Sequence, residues 1–133
     1  MTRYLHTMVR ITDPEATRAF YEALGLEFRR EMDIVRNGER EATNYFFGVP
    51  EQEEELEFTL NHDGRTYELG TAYGHVAFAV DDLDETLSRL GKRGAQLVGE
   101  VVQYEDAYRL CYIRGPEGLL IGLAEELRPN VRA

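Results

Sequence analysis

The chain has 133 residues, 43% of them hydrophobic, and a formal net charge of −10 at pH 7. This is enough apolar material for one average domain or two very small modules sharing a core. No run approaches the roughly 20 apolar residues of a membrane span. The acidity argues against nucleic-acid binding, since phosphates want a basic face.

Residues 3–11 alternate: Leu5, Thr7, Val9 and Ile11 share one strand face, and Tyr4, His6, Met8 and Arg10 the other. Asp13-Pro14-Glu15 then starts a helix, because Asp can cap, Pro is tolerated in the first turn and Glu suits the positive helix end. Ala16, Phe20 and Leu24 recur at helical spacing and Gly25 ends the run. Strands are expected near 26–32, 41–48 and 54–61. In the last, Leu56, Phe58 and Leu60 oppose Glu57, Thr59 and Asn61.

A polar, glycine-containing connection covers 62–72, and the acidic run Glu51 to Glu57 reads mostly as a solvated loop. The plan then repeats. Tyr73, His75, Ala77 and Ala79 line one strand face, and Asp82 or Asp84 can cap a helix carrying Leu83, Leu87 and Leu90. Strands follow near 96–102, 108–114 and 119–125, with Gly115-Pro116-Glu117-Gly118 a turn between the last two. At the fixed offset that carries His6 onto His75, Tyr4 falls on Tyr73, Asp13 on Asp82, Thr17 on Thr86 and Gly25 on Gly94. The expected architecture is α+β: one domain of two βαβββ modules, 1–61 and 73–127. Their antiparallel-rich mixed sheets should curve around a cleft, with helices outside.

The polar strand faces carry His6 and Arg10, Glu57 and Asn61, and His75. A polar strand face can simply face water, but three that each bear a metal-ligand type favour a site. Two His and one carboxylate can hold Zn, Ni, Mn or Fe and leave positions open for water or substrate. His62, beside Asp63-Gly64, reads as an exposed turn residue. The single cysteine, Cys111, rules out an intrachain disulfide and sits in an apolar strand, as a buried inert thiol would. With no signal-peptide pattern before the first strand, a cytoplasmic location is expected.

Leu5-His6-Thr7-Met8-Val9-Arg10, Leu56-Glu57-Phe58-Thr59-Leu60-Asn61 and Tyr67-Glu68-Leu69-Gly70-Thr71-Ala72-Tyr73-Gly74-His75 together resemble bacterial glyoxalase I (lactoylglutathione lyase) of the vicinal oxygen chelate superfamily. The resemblance covers nearly the whole chain. It implies paired βαβββ modules, an octahedral divalent metal (nickel or zinc), and a homodimer whose active sites form between chains. By motif, His6, Glu57 and His75 would be metal ligands and Glu57 also the catalytic base. Arg10 and Asn61 would hold the γ-glutamyl end of a glutathione hemithioacetal.

Two departures stand out. The family's fourth ligand is a Glu in the last strand, where motif alignment places Gly122. Glu126 lies four residues on, about 13 Å along a strand, and Glu125 points to the other face. Gly122, with Ala77, Ala79 and Ala124, is therefore expected to leave a gap. The loop 103–108 lacks the basic residue common in glutathione-using relatives and carries Glu105 and Asp106 instead, so Arg109 would have to compensate. Besides the isomerase, these departures leave two other functions open. One is another metalloenzyme of the superfamily, of extradiol dioxygenase or fosfomycin-modifying type. The other is a binding protein of the bleomycin-resistance type, with Tyr4, Tyr73, Tyr104 and Tyr108 as aromatic walls.

Overall fold

The computed structural model describes residues 1–133, which divide into two compact units, Met1–Glu68 and Leu69–Ala133. The boundary falls within the connection expected at 62–72. No helix is long and apolar enough to cross a membrane.

The first unit runs β1 (His6–Ile11), α1 (Pro14–Leu24), β2 (Glu27–Arg36), β3 (Glu39–Gly48) and β4 (Glu55–Asn61). Its sheet has the order β1-β4-β3-β2, with β1 parallel to β4 and the other pairs antiparallel. The second unit repeats this as β5 (Val76–Ala79), α2 (Leu83–Gly91), β6 (Gln96–Tyr104), β7 (Tyr108–Arg114) and β8 (Leu120–Glu126), in the order β5-β8-β7-β6. The turn before β8 is a single 3-10 turn, Pro116–Gly118. Both sheets are open, and the α+β class and the order βαβββ, twice, are as the sequence predicts.

Both helices start alike. The carboxylates of Asp13 and Asp82 accept from the amides of Ala16 and Glu85 at 3.0 Å, each closing the first turn. Thr17 and Thr86 sit buried four residues on, each donating its hydroxyl to the carbonyl of the capping Asp at 2.8 Å. The buried stripe of α1 is Thr17, Phe20, Tyr21 and Leu24, so Ala16, expected inside, is exposed. The large rings at 20 and 21 turn the stripe toward themselves. Likewise α2 buries Leu83, Thr86 and Leu90 and leaves Leu87 half-buried.

The cores differ in kind. In the first unit Tyr21 of α1 packs on Phe58 (ring centroids 4.8 Å apart), which meets Phe47 at 5.7 Å. In the second, the buried residues are aliphatic, Leu83, Leu90, Ile113, Ile121 and Leu123 among them, together with Cys111 and without a large ring. Burial pushes the Cys111 thiol up, Arg109 opposing slightly, so the inert reading of this cysteine holds.

Candidate functional site

In the first unit the register sets two faces. Opposed residues share a face, so Thr7, Val9 and Ile11 lie with Leu56, Phe58 and Leu60 over the helix. The other face is built in rows: His6 beside Glu55, Met8 beside Glu57 beside Phe46 beside Arg30, and Arg10 beside Thr59 beside Asn44 beside Met32. His6 stands at the start of β1, its side chain 41% exposed, while the Glu57 side chain is only 11% exposed. Across the row His6 Nε2 and Glu57 Oε2 approach to 3.1 Å. A hollow of about 490 Å³ opens over this pair, lined also by Tyr4, Arg30, Met32, Phe46 and Glu55. Two donors held at right angles by bonds of about 2.1 Å would sit about 3 Å apart, so the pair has the spacing of neighbouring ligands on one ion.

The other charges here are already engaged. Arg30 lies 3.7 Å above the Phe46 ring and bonds Glu55 at 2.7 Å, while Arg29 approaches Glu55 at 3.7 Å. Arg29 also donates to the carbonyls of Val49 (2.9 Å), Gln52 (2.5 Å) and Glu53 (3.2 Å), so the acidic loop before β4 is pinned rather than loose. No group of three His, Cys, Asp or Glu side chains converges within the chain. A complete ligand set would need a donor beyond the His6–Glu57 pair.

Arg10 and Asn61 lie on the same face, four residues along their strands from His6 and Glu57, about 13 Å away. Asn61 Nδ2 donates to the Tyr67 hydroxyl at 2.7 Å. Asn61 also lines a second hollow of about 390 Å³, with Arg36, Arg40, His62 and Arg65 among its walls. His62 is exposed, as expected for a turn residue, but its Nε2 lies 2.8 Å from the Thr43 hydroxyl, which donates to Asp33 at 2.7 Å.

In the second unit His75 precedes β5 and is exposed. Tyr73 anchors this lead-in by donating its hydroxyl to the Leu120 carbonyl at 2.9 Å, and burial raises its phenol, a backbone bond at Val76 partly offsetting the rise. Its counterpart Tyr4 instead contacts the Thr7 hydroxyl. The register gives the equivalence that the fixed offset misplaces. Ala77 opposes Gly122, and Gly122 opposes Tyr112, as Met8 opposes Glu57 and Glu57 opposes Phe46. Gly122 is thus the structural counterpart of Glu57.

Neither later carboxylate replaces it. Glu125 accepts from the Leu83 amide at 2.7 Å on the helix-bearing face, and Glu126 accepts from the Ala133 amide at 3.1 Å. The gap expected over Gly122 does not exist. A Cβ there would meet Ala77 Cβ and His75 Cδ2 at 3.3 Å and Tyr112 Cε1 at 3.5 Å. Nor does Arg109 compensate for the acidic loop 103–108. It bonds Asp84 at 3.0 Å, holding that carboxyl below its usual range.

Tyr112 is the residue that sequence reasoning missed. Its alternation with buried Cys111 and Ile113 put it on the open face, but a lone half-buried tyrosine carries no signal of which residue it leans on.

Residues 3–123 match the Glyoxalase/Bleomycin resistance protein/Dioxygenase superfamily. The lactoylglutathione lyase of Escherichia coli O157:H7 is 34% identical over 93% of each chain. A glyoxalase family protein from Bacillus cereus superposes with a TM-score of 0.85 at 34% identity, covering 96% of both chains. The trypanothione-dependent glyoxalase I of Leishmania major superposes at 0.78 and 29% identity, over 95% of this chain and 88% of that one. With its duplicated βαβββ plan and a His–Glu pair on the open face of the first sheet, this chain belongs to the Glyoxalase/Bleomycin resistance protein/Dioxygenase superfamily, as a glyoxalase I-like member.

Proposed function

We propose that this chain is a metal-dependent glyoxalase I-like lyase that converts the hemithioacetal of methylglyoxal and a thiol, glutathione in the first instance, into the lactoyl thioester. The observation that carries the reading is the buried Glu57 carboxylate held 3.1 Å from His6 Nε2. An ionised carboxylate is costly to bury without a partner charge, and a divalent ion ligated by both residues supplies one. His6 and Glu57 would hold that ion together with His75, contributed by a second copy in a homodimer. Nickel and zinc both suit this donor set. Bound there, the ion supplies Lewis acidity toward the substrate oxygens.

The chain's own residues supply the rest. Glu57 takes the proton from the thiol-bearing carbon and returns it to the adjacent carbon. The carbonyl and hydroxyl exchange places, and no external oxidant is needed. With Gly122 as its counterpart, Glu57 is the one carboxylate available for both removal and return. Arg10 and Asn61, further along the same face, hold the far end of the thiol. Their spacing from His6 and Glu57 suits a tripeptide-sized group. A purely sequestering role would leave Glu57 buried without a use.

The test is an isomerase assay with methylglyoxal and glutathione on metal-stripped protein reloaded separately with nickel, cobalt and zinc. Metal-dependent formation of the thioester, lost in His6→Ala, is expected. Absence of turnover with every metal and thiol tried would overturn the reading.

A further inference from the structure

The two modules provide an internal control. At equivalent register positions each places an aromatic ring against its histidine: Phe46 against His6, and Tyr112 against His75. Both contacts are edge-on, with interplanar angles of 83° and 67°. Their distances differ. The Phe46 and His6 centroids stand 6.4 Å apart, whereas Tyr112 and His75 stand 4.9 Å apart, closer by 6.4 − 4.9 = 1.5 Å. Between ring and histidine lies the intervening strand, β4 in one case and β8 in the other. The first carries Glu57 there and the second Gly122.

Where Glu57 stands, the carboxylate fixes the imidazole and the ring is kept away. Where glycine stands, the ring crosses the strand and touches the imidazole itself. Tyr112 Cε1 and His75 Cδ2 come to 3.5 Å and 3.3 Å of the point a side chain at 122 would leave from. Covering a strand glycine with a cross-strand aromatic is a known packing device. Here the ring reaches on to a histidine that lies outside the β5 ladder, which begins at Val76.

We infer that Tyr112 is the positioning residue of His75, its ring bracing the imidazole through the opening that Gly122 provides, in place of a carboxylate. The proposal rests on the reading of His75 as a metal ligand. Groups that orient a ligating histidine commonly affect metal affinity by about 10-fold or more, and a ring in van der Waals contact acts by restricting rotamers.

Three consequences separate the brace from a plain packing role. Tyr112→Phe keeps the ring and should bind cobalt(II) within about 2-fold of the parent. Tyr112→Leu removes the edge contact and should weaken binding by about 10-fold. The Hδ2 resonance of His75 in metal-free protein should also move in the leucine variant, because the ring current is lost. Gly122→Glu should lower rather than raise metal affinity, since its Cβ already crowds His75.

The experiment is cobalt(II) titration by visible absorption on the full chain, with the His75 proton spectrum recorded before metal is added. Gly122→Ala adds a single methyl at the crowded point and serves as the second variant should Tyr112→Leu fail to fold. His75→Ala is the control on the underlying reading: unchanged cobalt binding there would overturn His75 as a ligand. A His75 resonance and cobalt affinity both unmoved by Tyr112→Leu or Gly122→Ala would overturn the brace while leaving the ligand reading intact. Equal losses in Tyr112→Phe and Tyr112→Leu would also overturn it, because they would assign the effect to the hydroxyl.

Discussion

The two modules share a plan down to the capping Asp and buried Thr of each helix, yet they have divided their labour. The first presents a charged face, with His6, Glu57, Arg10 and Asn61 projecting from β1 and β4. The second presents Tyr112, Leu110, Ala77, Gly122 and Ala124 in the equivalent rows, with no carboxylate among them and His75 at their head. Duplication gives each half the same backbone geometry. The contrast shows that the backbone fixes where a ligand-bearing position lies, whereas the residue placed there decides whether the position holds a carboxylate or admits a ring. It also shows why a four-ligand site cannot be assumed from a duplicated fold.

The contrast can be broken most sharply at Glu57. If the first module carries all the acid–base work, Glu57→Gln should lower turnover by about 10²–10⁴-fold while the fold, followed by circular dichroism, is unchanged. A loss of only a few fold would return the proton-transfer role to the second module. Next in size is the core difference. Phe58→Ala should cost about 3–5 kcal/mol, because Tyr21 and Phe47 lose their shared partner. Chemical denaturation measures this, and a cost below about 1.5 kcal/mol would mean that the aromatic core collapses around the hole.

Smaller again are the caps. Asp13→Ala and Asp82→Ala should each cost about 1 kcal/mol, equal within error because the two bonds have the same 3.0 Å length. A large inequality would show that the modules differ in stability as well as in chemistry.

The smallest effect is the pH dependence of the Asp84–Arg109 pair, which has no counterpart on α1. Hydrogen bonding to Arg109 holds the Asp84 carboxyl below its ordinary range. The folded state therefore binds fewer protons there than the unfolded chain. The pair stabilises above the unfolded carboxylate range, and its contribution is lost as pH falls through that range toward the lowered folded value. Asp84 is largely exposed, so the gap in melting temperature between the parent and Asp84→Asn should be slight at pH 7 and vanish once the pH has fallen through the lowered folded range. A gap that widened on acidification would contradict the assigned direction.

Most of the architecture could be read from residue patterns. Strand alternation gave both faces of β1 and β4, and Asp13 and Asp82 marked the helix starts. The Gly-Pro-Glu-Gly turn separated β7 from β8. These signals are local, and local chemistry decides them. The His–Glu pair was legible as residue types on polar faces but not as a 3.1 Å contact, because it depends on the parallel register of strands far apart in sequence.

The fixed offset failed where it mattered most. It carries His6 to His75 but Glu57 to Glu126, because the second module is four residues shorter between its histidine and the register position of Gly122. Only the ladder itself pairs Glu57 with Gly122. Tyr112 escaped for a related reason: its value lies in a contact across an intervening strand, made possible by the absence of a side chain there. Ala16 was misjudged because periodicity ranks positions by spacing and ignores the pull of adjacent rings at Phe20 and Tyr21.

The pairing of β1 with β4 bears on the order in which the molecule assembles. The partners His6 and Glu55 are separated by the whole of α1, β2 and β3, whereas β2 and β3 are joined by a two-residue turn at Asn37-Gly38. Closing the short hairpin costs little entropy, and closing the long loop costs more and has no reward until the hairpin exists to receive it. The hairpin and β4 therefore form the template, and β1 docks last, bringing His6 to Glu57. Pulse-labelled hydrogen exchange should find the β3 and β4 amides protected before those of β1, and the reverse order would refute this sequence. Metal uptake would then report the completion of folding, and a chain arrested one step earlier would carry a carboxylate with no histidine beside it.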